Sequence, residues 1–183
     1  MLLVATILFA QTVPPRPPAE EALLGLIKAH AAWLLDGYRL PTAADMQYDW
    51  TVFGDYIKDP PHRVSADFNG DGVADHAFIL LGSTGYSVRL AALLSQGATF
   101  RPFRILDLDA GNVFSQHRYI LAVVPPGSYE TAAGKGYFEV DADNPAQLVL
   151  SHPAIDFIYT ESADSYIYWD EHAGKFRQVQ ISD

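Results

Sequence analysis

The stretch that decides the fold is residues 75–94, DHAFILLGSTGYSVRLAALL. It holds two apolar runs that contain Phe, Ile and Val, and the segment Gly82-Ser83-Thr84-Gly85 between them is made of turn-forming residues. Two such runs joined by a short glycine-containing turn predict a β-hairpin. We therefore expect antiparallel strands over residues 75–81 and 87–94.

The same pattern continues on both sides of this hairpin. From residue 62 onward, apolar and aromatic runs alternate with clusters of Gly, Pro, Asn and Asp, which punctuate strands. Further strands are predicted at residues 63–68, 100–106, 119–124, 136–140, 148–150, 155–159, 165–169 and 176–181. The connections are short, and parallel strands need long crossovers, so the pattern predicts a mainly antiparallel β meander.

The residues before the strands predict helix. Apolar residues recur with helical spacing over residues 19–36, and Gly37 can end an amphipathic helix there. Thr42 followed three residues later by Asp45 is typical of a helix start and predicts a short second helix toward Trp50. Helices that precede a set of strands favour an α+β fold, with the first helix packed on one sheet face.

Length and composition restrict the classes of protein. The chain has 183 residues, 49% of them hydrophobic, which predicts one domain with a single main core. Its 12 basic and 22 acidic residues give a formal net charge of −10, so nucleic acid is excluded as an expected partner. There is no cysteine, which rules out disulfides and Cys-ligated zinc. We expect a monomer.

The first residues predict export. Residues 1–12, MLLVATILFAQT, form an apolar run too short to span a bilayer and are interpreted as a signal peptide. Residues 13–18 are a proline-rich linker, and residues 19–183 are the folded domain. The expected location is periplasmic or secreted, with no membrane span after processing.

One loop carries recognisable chemistry. Residues 67–75, DFNGDGVAD, place oxygen-bearing side chains at loop positions one, three, five and nine, with glycine at position six. Ca²⁺ takes six to eight oxygen ligands, and this spacing turns alternate side chains inward. The candidate ligands are the side chains of Asp67, Asn69, Asp71 and Asp75 and the backbone carbonyl of Val73. The alternative is an acidic turn that binds nothing, in which three carboxylates would repel one another without a counter-ion.

Position twelve of this loop is Phe78, where an EF-hand has its closing Glu, and the flanking segments are predicted strands. The loop instead resembles the calcium loop of FG-GAP and VCBS-type bacterial proteins, in which Asp-x-Asn-Gly-Asp-Gly-x-x-Asp joins two strands. That resemblance implies Ca²⁺ on the same five ligands, although those families carry several copies of the motif and this chain carries one. Four other segments resemble small exported bacterial proteins, a likeness that implies no activity: residues 37–41, 134–137, 153–157 and 181–183.

Four acidic residues suggest a rival function. Asp45 and Asp49 lie four residues apart, and with Glu161 or Asp164 they could form the carboxylate pair of a glycosidase-like hydrolase acting on the cell envelope. Helix-end charges and solvated turns are the alternative interpretation. The aromatic residues between 157 and 176 are either a sugar-stacking platform or cross-strand core.

We therefore expect an exported, non-enzymatic calcium-binding domain that binds a protein or a cell-envelope glycan, in the manner of an inhibitor, immunity protein or adhesion module. The alternative is the cell-envelope hydrolase. No residue is assigned a catalytic role.

Overall fold

A computed structural model of the protein describes residues 19–42, 45, 61–111, 116–160 and 162–182. Five sequence-based predictions lie wholly or mostly outside these residues: the signal peptide (1–12), the linker (13–18), the second helix from Thr42 toward Trp50, and the carboxylates of Asp49 and Glu161. The described part contains one α-helix, α1 (Glu20–Ala31), and a 3₁₀ turn (Ala32–Leu35). The strands are β1 (Tyr38–Arg39), β2 (Arg63–Ala66), β3 (Asp75–Gly82), β4 (Ser87–Gln96), β5 (Thr99–Asp109), β6 (Tyr119–Val124), β7 (Gly127–Glu130), β8 (Gln147–Leu150), β9 (Ala154–Tyr159), β10 (Asp164–Asp170) and β11 (Lys175–Gln180).

The helical prediction for residues 19–36 is confirmed, with its last turn tightened to 3₁₀ geometry. Leu23, Ile27 and Ala31 are the buried residues of α1, and Leu34 of the 3₁₀ turn is buried beside them. Gly37 follows in the left-handed region (φ 74°), where a side chain would be strained, so the helix ends there. No helix in the described residues is long and apolar enough to cross a membrane.

The first sheet is built around the predicted hairpin. Its strand order is β1-β3-β4-β5, and β2 also pairs with β3. All of these pairings are antiparallel, with Ile79 opposite Leu90 at the centre of the hairpin. The β4–β5 register shifts between Leu90 and Ala91, which marks a bulge. Among the described strands, only β4 pairs with β5.

A second antiparallel sheet has the order β11-β10-β9-β6, and β7 and β8 form a separate two-stranded sheet. The predicted meander is thus divided between two sheets. The strand predicted at residues 136–140 is wrong, because these residues lie in an irregular segment where Tyr137 is 58% exposed. The short strands β1 and β7 were not predicted.

The central strands of the first sheet contain near-continuous apolar runs because both faces of that sheet are buried. Side chains on one face of the first sheet pack against the second sheet: the main core includes Ile79 and Leu90 from the first sheet and Phe157 and Ile167 from the second. On the opposite face α1 covers a second core that includes Phe78. The two-stranded sheet covers the outer face of the second sheet. The expectation of a mainly antiparallel β fold with a helix on one sheet face is confirmed.

Candidate metal-binding loop and carboxylate sites

The acidic loop connects β2 to β3. Ala66 and Asp75 face each other in the ladder, so residues 67–74 form the end of a hairpin at one end of the first sheet. Gly70 (φ 76°) and Gly72 (φ 85°) adopt left-handed conformations that let the chain turn back on itself. The structure thereby gathers the predicted ligands Asp67, Asn69, Asp71 and Val73 on the loop, with Asp75 as the first residue of β3.

Backbone amides hold the oxygen-bearing side chains inside the loop. The Asp67 carboxylate accepts hydrogen bonds from the amides of Asp71 (2.9 Å) and Gly72 (2.8 Å). The Asn69 Oδ1 accepts from the Asp71 amide at 3.1 Å, and the Asn69 Nδ2 donates to the Asp71 Oδ2 at 3.1 Å. The Asp71 Oδ1 accepts from the Val73 amide at 2.8 Å. These bonds gather several side-chain oxygens against the backbone of one turn.

Asp75 has a structural role that sequence analysis missed. It is fully buried, and its two carboxylate oxygens accept hydrogen bonds from the amides of Phe68 (2.8 Å) and Ser95 (2.7 Å). Burial, together with the negative charge of Asp71, raises its pKa to about 6 despite these bonds. Asp75 therefore ties both ends of the loop to β4.

The oxygen atoms of the loop are the kind of ligand that a hard cation prefers, but they do not converge on one point. Carboxylate and amide oxygens are the ligands Ca²⁺ prefers, and an ionised carboxylate has about four acceptor positions. Asp67 and Asp75 each use two of theirs on backbone amides. However, no group of three or more His, Asp or Glu side chains in the described residues is arranged to hold a metal ion. Binding would therefore require Asp67, Asp71 and Asp75 to shift.

His152 contacts the loop from a distant part of the chain. It lies in the turn between β8 and β9, and a β-carbon built on Gly70 would fall 2.2 Å from its Cε1. Its Nε2 is 2.9 Å from the Oε1 of Glu171 in the β10–β11 turn. A cleft of about 230 Å³ lies beside this pair, and Phe68 and Trp169 are among its lining residues. No sequence pattern linked residues 70 and 152, since only the packing of the two sheets brings them together.

Of the four candidate hydrolase carboxylates, Asp45 is held in an ion pair. Its carboxylate receives two hydrogen bonds from the Arg39 guanidinium (2.6 and 2.7 Å) and two from Thr42, one from its amide and one from its hydroxyl. The Arg39 bonds keep the pKa of Asp45 well below its usual range. Asp45 thus contacts Thr42, the residue three positions earlier in the chain.

Asp164 lies on the second sheet beside a carboxylate that sequence analysis did not single out. The neighbour is Asp156, whose pKa is raised to about 7, first by burial and then by the charge of Asp164. The sequence indicates only the direction of this side chain: the alternation of residues 155–157 places Asp156 on the sheet face that points away from the main core. The C-terminal aromatics are mostly cross-strand core: Phe157, Trp169 and Phe176 pack in the main core.

Comparison of the chain with protein-family models, with curated protein sequences and with solved structures finds no match.

Proposed function

We propose that the protein is an exported, non-enzymatic domain that binds one Ca²⁺ in the loop of residues 67–75 and uses the adjoining surface to bind a protein or cell-envelope glycan. The observation that carries the proposal is the loop itself. Its carboxylate oxygens are held against one turn by hydrogen bonds from the backbone amides of Asp71, Gly72 and Val73. The resemblance to FG-GAP and VCBS-type calcium loops supports the same assignment.

The ligands would be the side chains of Asp67, Asn69, Asp71 and Asp75 and the carbonyl of Val73, with water completing the shell. The calcium ion would supply the positive charge that these carboxylates lack in the loop. Because the carboxylates must shift, and because the loop lacks a bidentate Glu at position twelve, part of the binding free energy is spent on rearrangement. We expect a dissociation constant on the order of 10⁻⁴ to 10⁻³ M, which suits extracellular calcium.

The adjoining cleft supports the partner-binding part of the proposal. Phe68 of the loop lines it, together with the His152–Glu171 pair and Trp169 of the second sheet. A cleft with an aromatic wall and several hydrogen-bonding groups suits a polar chain such as a glycan or a protein loop. Phe68 is buried in the main core at the edge of this cleft, so the loop that would hold calcium adjoins it directly.

Among the described hydrolase candidates, Asp45 is a poor general acid. A general acid needs a pKa near the working pH, and the ion pair with Arg39 keeps Asp45 ionised far below neutrality. Asp45 therefore suits a structural role better than proton donation. If the purified protein hydrolyses envelope glycans and Asp45→Asn or Asp164→Asn lowers the rate more than a hundredfold, the hydrolase alternative is correct.

Calcium binding is tested by titration calorimetry and thermal unfolding in calcium, in magnesium and in chelator. With free calcium about ten times the dissociation constant, linkage predicts roughly 1.4 kcal/mol of stabilisation, or about 3–5 °C in melting temperature. Asp71→Ala should abolish this rise. In chelator it should lower stability little or even raise it, because it removes one of several neighbouring negative charges.

Asp141→Ala is the matched control. Asp141 is also an exposed turn aspartate whose carboxylate accepts backbone hydrogen bonds, from Asp143 and Asn144, but it lies outside the loop. This variant should keep the full response to calcium. A wild-type protein that shows no heat of binding and melts at the same temperature in calcium and in chelator has only an acidic turn.

A further inference from the structure

Two carboxylates are neighbours on the outer face of the second sheet. Asp156 of β9 lies opposite Tyr166 of β10, and Asp164 lies opposite Ile158. The flanking residues Ile155 and Phe157 point into the main core, so Asp156 faces the other way. Asp156 and Asp164 are therefore diagonal neighbours on one face, the arrangement in which cross-strand side chains still interact.

One oxygen of the Asp156 carboxylate has no hydrogen-bond partner. Its Oδ1 is buried and makes no hydrogen bond. The residue opposite it on β6 is Ala122, which offers no polar side chain. An ionised carboxylate with a buried, unpartnered oxygen is costly, whereas the neutral acid is much less so. The side chain is therefore better suited to the protonated form.

No cation in the described residues compensates this charge. The titratable groups facing Asp156 are Asp164 and Tyr166 from β10, and Tyr129 of β7 packs on Tyr166. The neighbouring strand β6 presents only apolar residues on this face. The Arg177 guanidinium of β11 is bound to Asp170 at 2.6 Å. The Lys135 ammonium donates to the carbonyl of Ile181 at 2.9 Å.

The pKa of Tyr166 is also raised, in part by the same negative charges. Burial first, and then the charge of Asp156, raise its pKa to about 12. Its ring packs edge-to-face against Tyr129 of β7, with centroids 5.1 Å apart. This contact joins the two-stranded sheet to the face that carries Asp156.

We propose that Asp156 is a proton-operated switch in the outer layer of the fold. With a proton bound, Asp156 lies as a neutral acid beside Asp164, and the sheet of β7 and β8 packs firmly on the second sheet through Tyr166 and Tyr129. When the proton leaves, two negative charges share the face, one of them with a buried unpartnered oxygen, and the β7–β8 layer loosens. The proposal does not depend on calcium.

The direction of the pH effect follows from linkage. The pKa of Asp156 is about 7 in the folded protein and about 3.9 in the unfolded chain. Between these values the folded state binds more protons, so the stability contributed by this group is full below about pH 4 and is lost as the pH rises to about 7. Asp75, with its pKa raised to about 6, adds a loss of the same sign, so the test must isolate Asp156.

The experiment is thermal unfolding of the full chain in chelator at pH 5 and pH 8. We expect the wild type to lose about 5 °C more than Asp156→Asn over this interval, because the variant cannot ionise. Asp164→Asn should reduce the loss in part. The control Asp141→Asn, in an exposed turn on another segment, should retain the full loss. An Asp156→Asn variant with the same pH dependence as the wild type overturns the proposal.

Two measurements on the wild type keep the test decisive if Asp156→Asn does not fold. Carboxyl ¹³C NMR should give an Asp156 titration midpoint near pH 7, and a midpoint below 5 overturns the proposal. Hydrogen exchange, corrected for the intrinsic effect of pH, should show amides of β7 and β8 losing at least tenfold more protection than those of β3 and β4 between pH 5 and pH 8. Equal loss in both sheets contradicts a local switch.

Discussion

The imidazole ring of His152 lies directly against the backbone of Gly70, so that a β-carbon at residue 70 would fall 2.2 Å from the His152 Cε1. This contact joins the acidic loop of the first sheet to the β8–β9 turn that precedes the second sheet. It makes the loop conformation dependent on a residue 82 positions later in the chain, by the difference 152 − 70. The first prediction follows from it.

Gly70→Ala should destabilise the protein by about 2 kcal/mol or more, since it adds both left-handed strain and a clash with His152. Gly72→Ala is the matched control: its φ is also positive, but its β-carbon would meet open space, so about 1 kcal/mol is expected. In a His152→Ala background the two costs should become equal. Urea unfolding measures all of these, and equal costs in the wild-type background would show that His152 exerts no constraint.

Asp75→Ala should cost about 2–4 kcal/mol, because the buried amides of Phe68 and Ser95 both lose their acceptor. Asp75→Asn keeps one acceptor oxygen and should cost roughly half as much. Exposed Asp71→Ala, in the same loop, serves as the comparison and should cost less than 1 kcal/mol. Urea unfolding gives the energies. Faster hydrogen exchange at Phe68 and Ser95 would locate the effect, and unchanged exchange there would contradict it.

Asp45→Asn should destabilise the protein by about 1–3 kcal/mol at pH 7, because it breaks the hydrogen-bonded ion pair with Arg39. The pKa of Asp45 is lowered in the folded state, so its stabilisation is present above about pH 4 and is lost as the pH falls below that value. The stability difference between variant and wild type should therefore shrink in acid. The surface variant Asp109→Asn should cost little, and an Asp45→Asn cost that is constant from pH 7 to pH 2 would refute the ion-pair explanation.

Arg89→Lys should cost about 2–4 kcal/mol, although the charge is kept. The nearly buried Arg89 guanidinium makes two bonds to Asp107 (2.7 and 2.9 Å), donates to the Leu34 carbonyl at 3.0 Å and covers the Tyr38 ring. An ammonium cannot reproduce this planar arrangement. Arg104→Lys, an exposed arginine 3.9 Å from Asp107, is the control, with less than 0.5 kcal/mol expected. Hydrogen exchange in α1 should rise only in Arg89→Lys.

The hairpin at residues 75–94 could be predicted because its turn chemistry and its apolar runs favour the same local structure. Residues 136–140, GYFEV, have a similar composition, yet Tyr137, Phe138 and Val140 are exposed and pair with no described strand. Strand propensity reports how well a residue fits a half-buried sheet, and only tertiary contacts decide whether a sheet is there. β7 was missed for the complementary reason, since its four residues gain their pairing from distant β8.

The acidic loop could be placed from its spacing, because the hydrogen bonds among residues 67–73 join residues at most five positions apart. The contacts that connect this loop to the rest of the fold could not, because Ser95 and His152 reach it through sheet pairing and sheet packing. The same holds for Asp156. The alternation of residues 155–157 indicates a side chain that points away from the main core, but the layer of β7 and β8 that buries this face is set by pairings across about 20 residues.

The construction of β5 has a consequence for how molecules of this protein meet one another. Its second side pairs with no described strand, which is the kind of edge through which β proteins aggregate. Pro102 provides no amide hydrogen, exposed Arg101 and Arg104 place charge along the strand, and the bulge at Leu90–Ala91 interrupts its register. These features make the free side of β5 a poor template for a strand from another molecule.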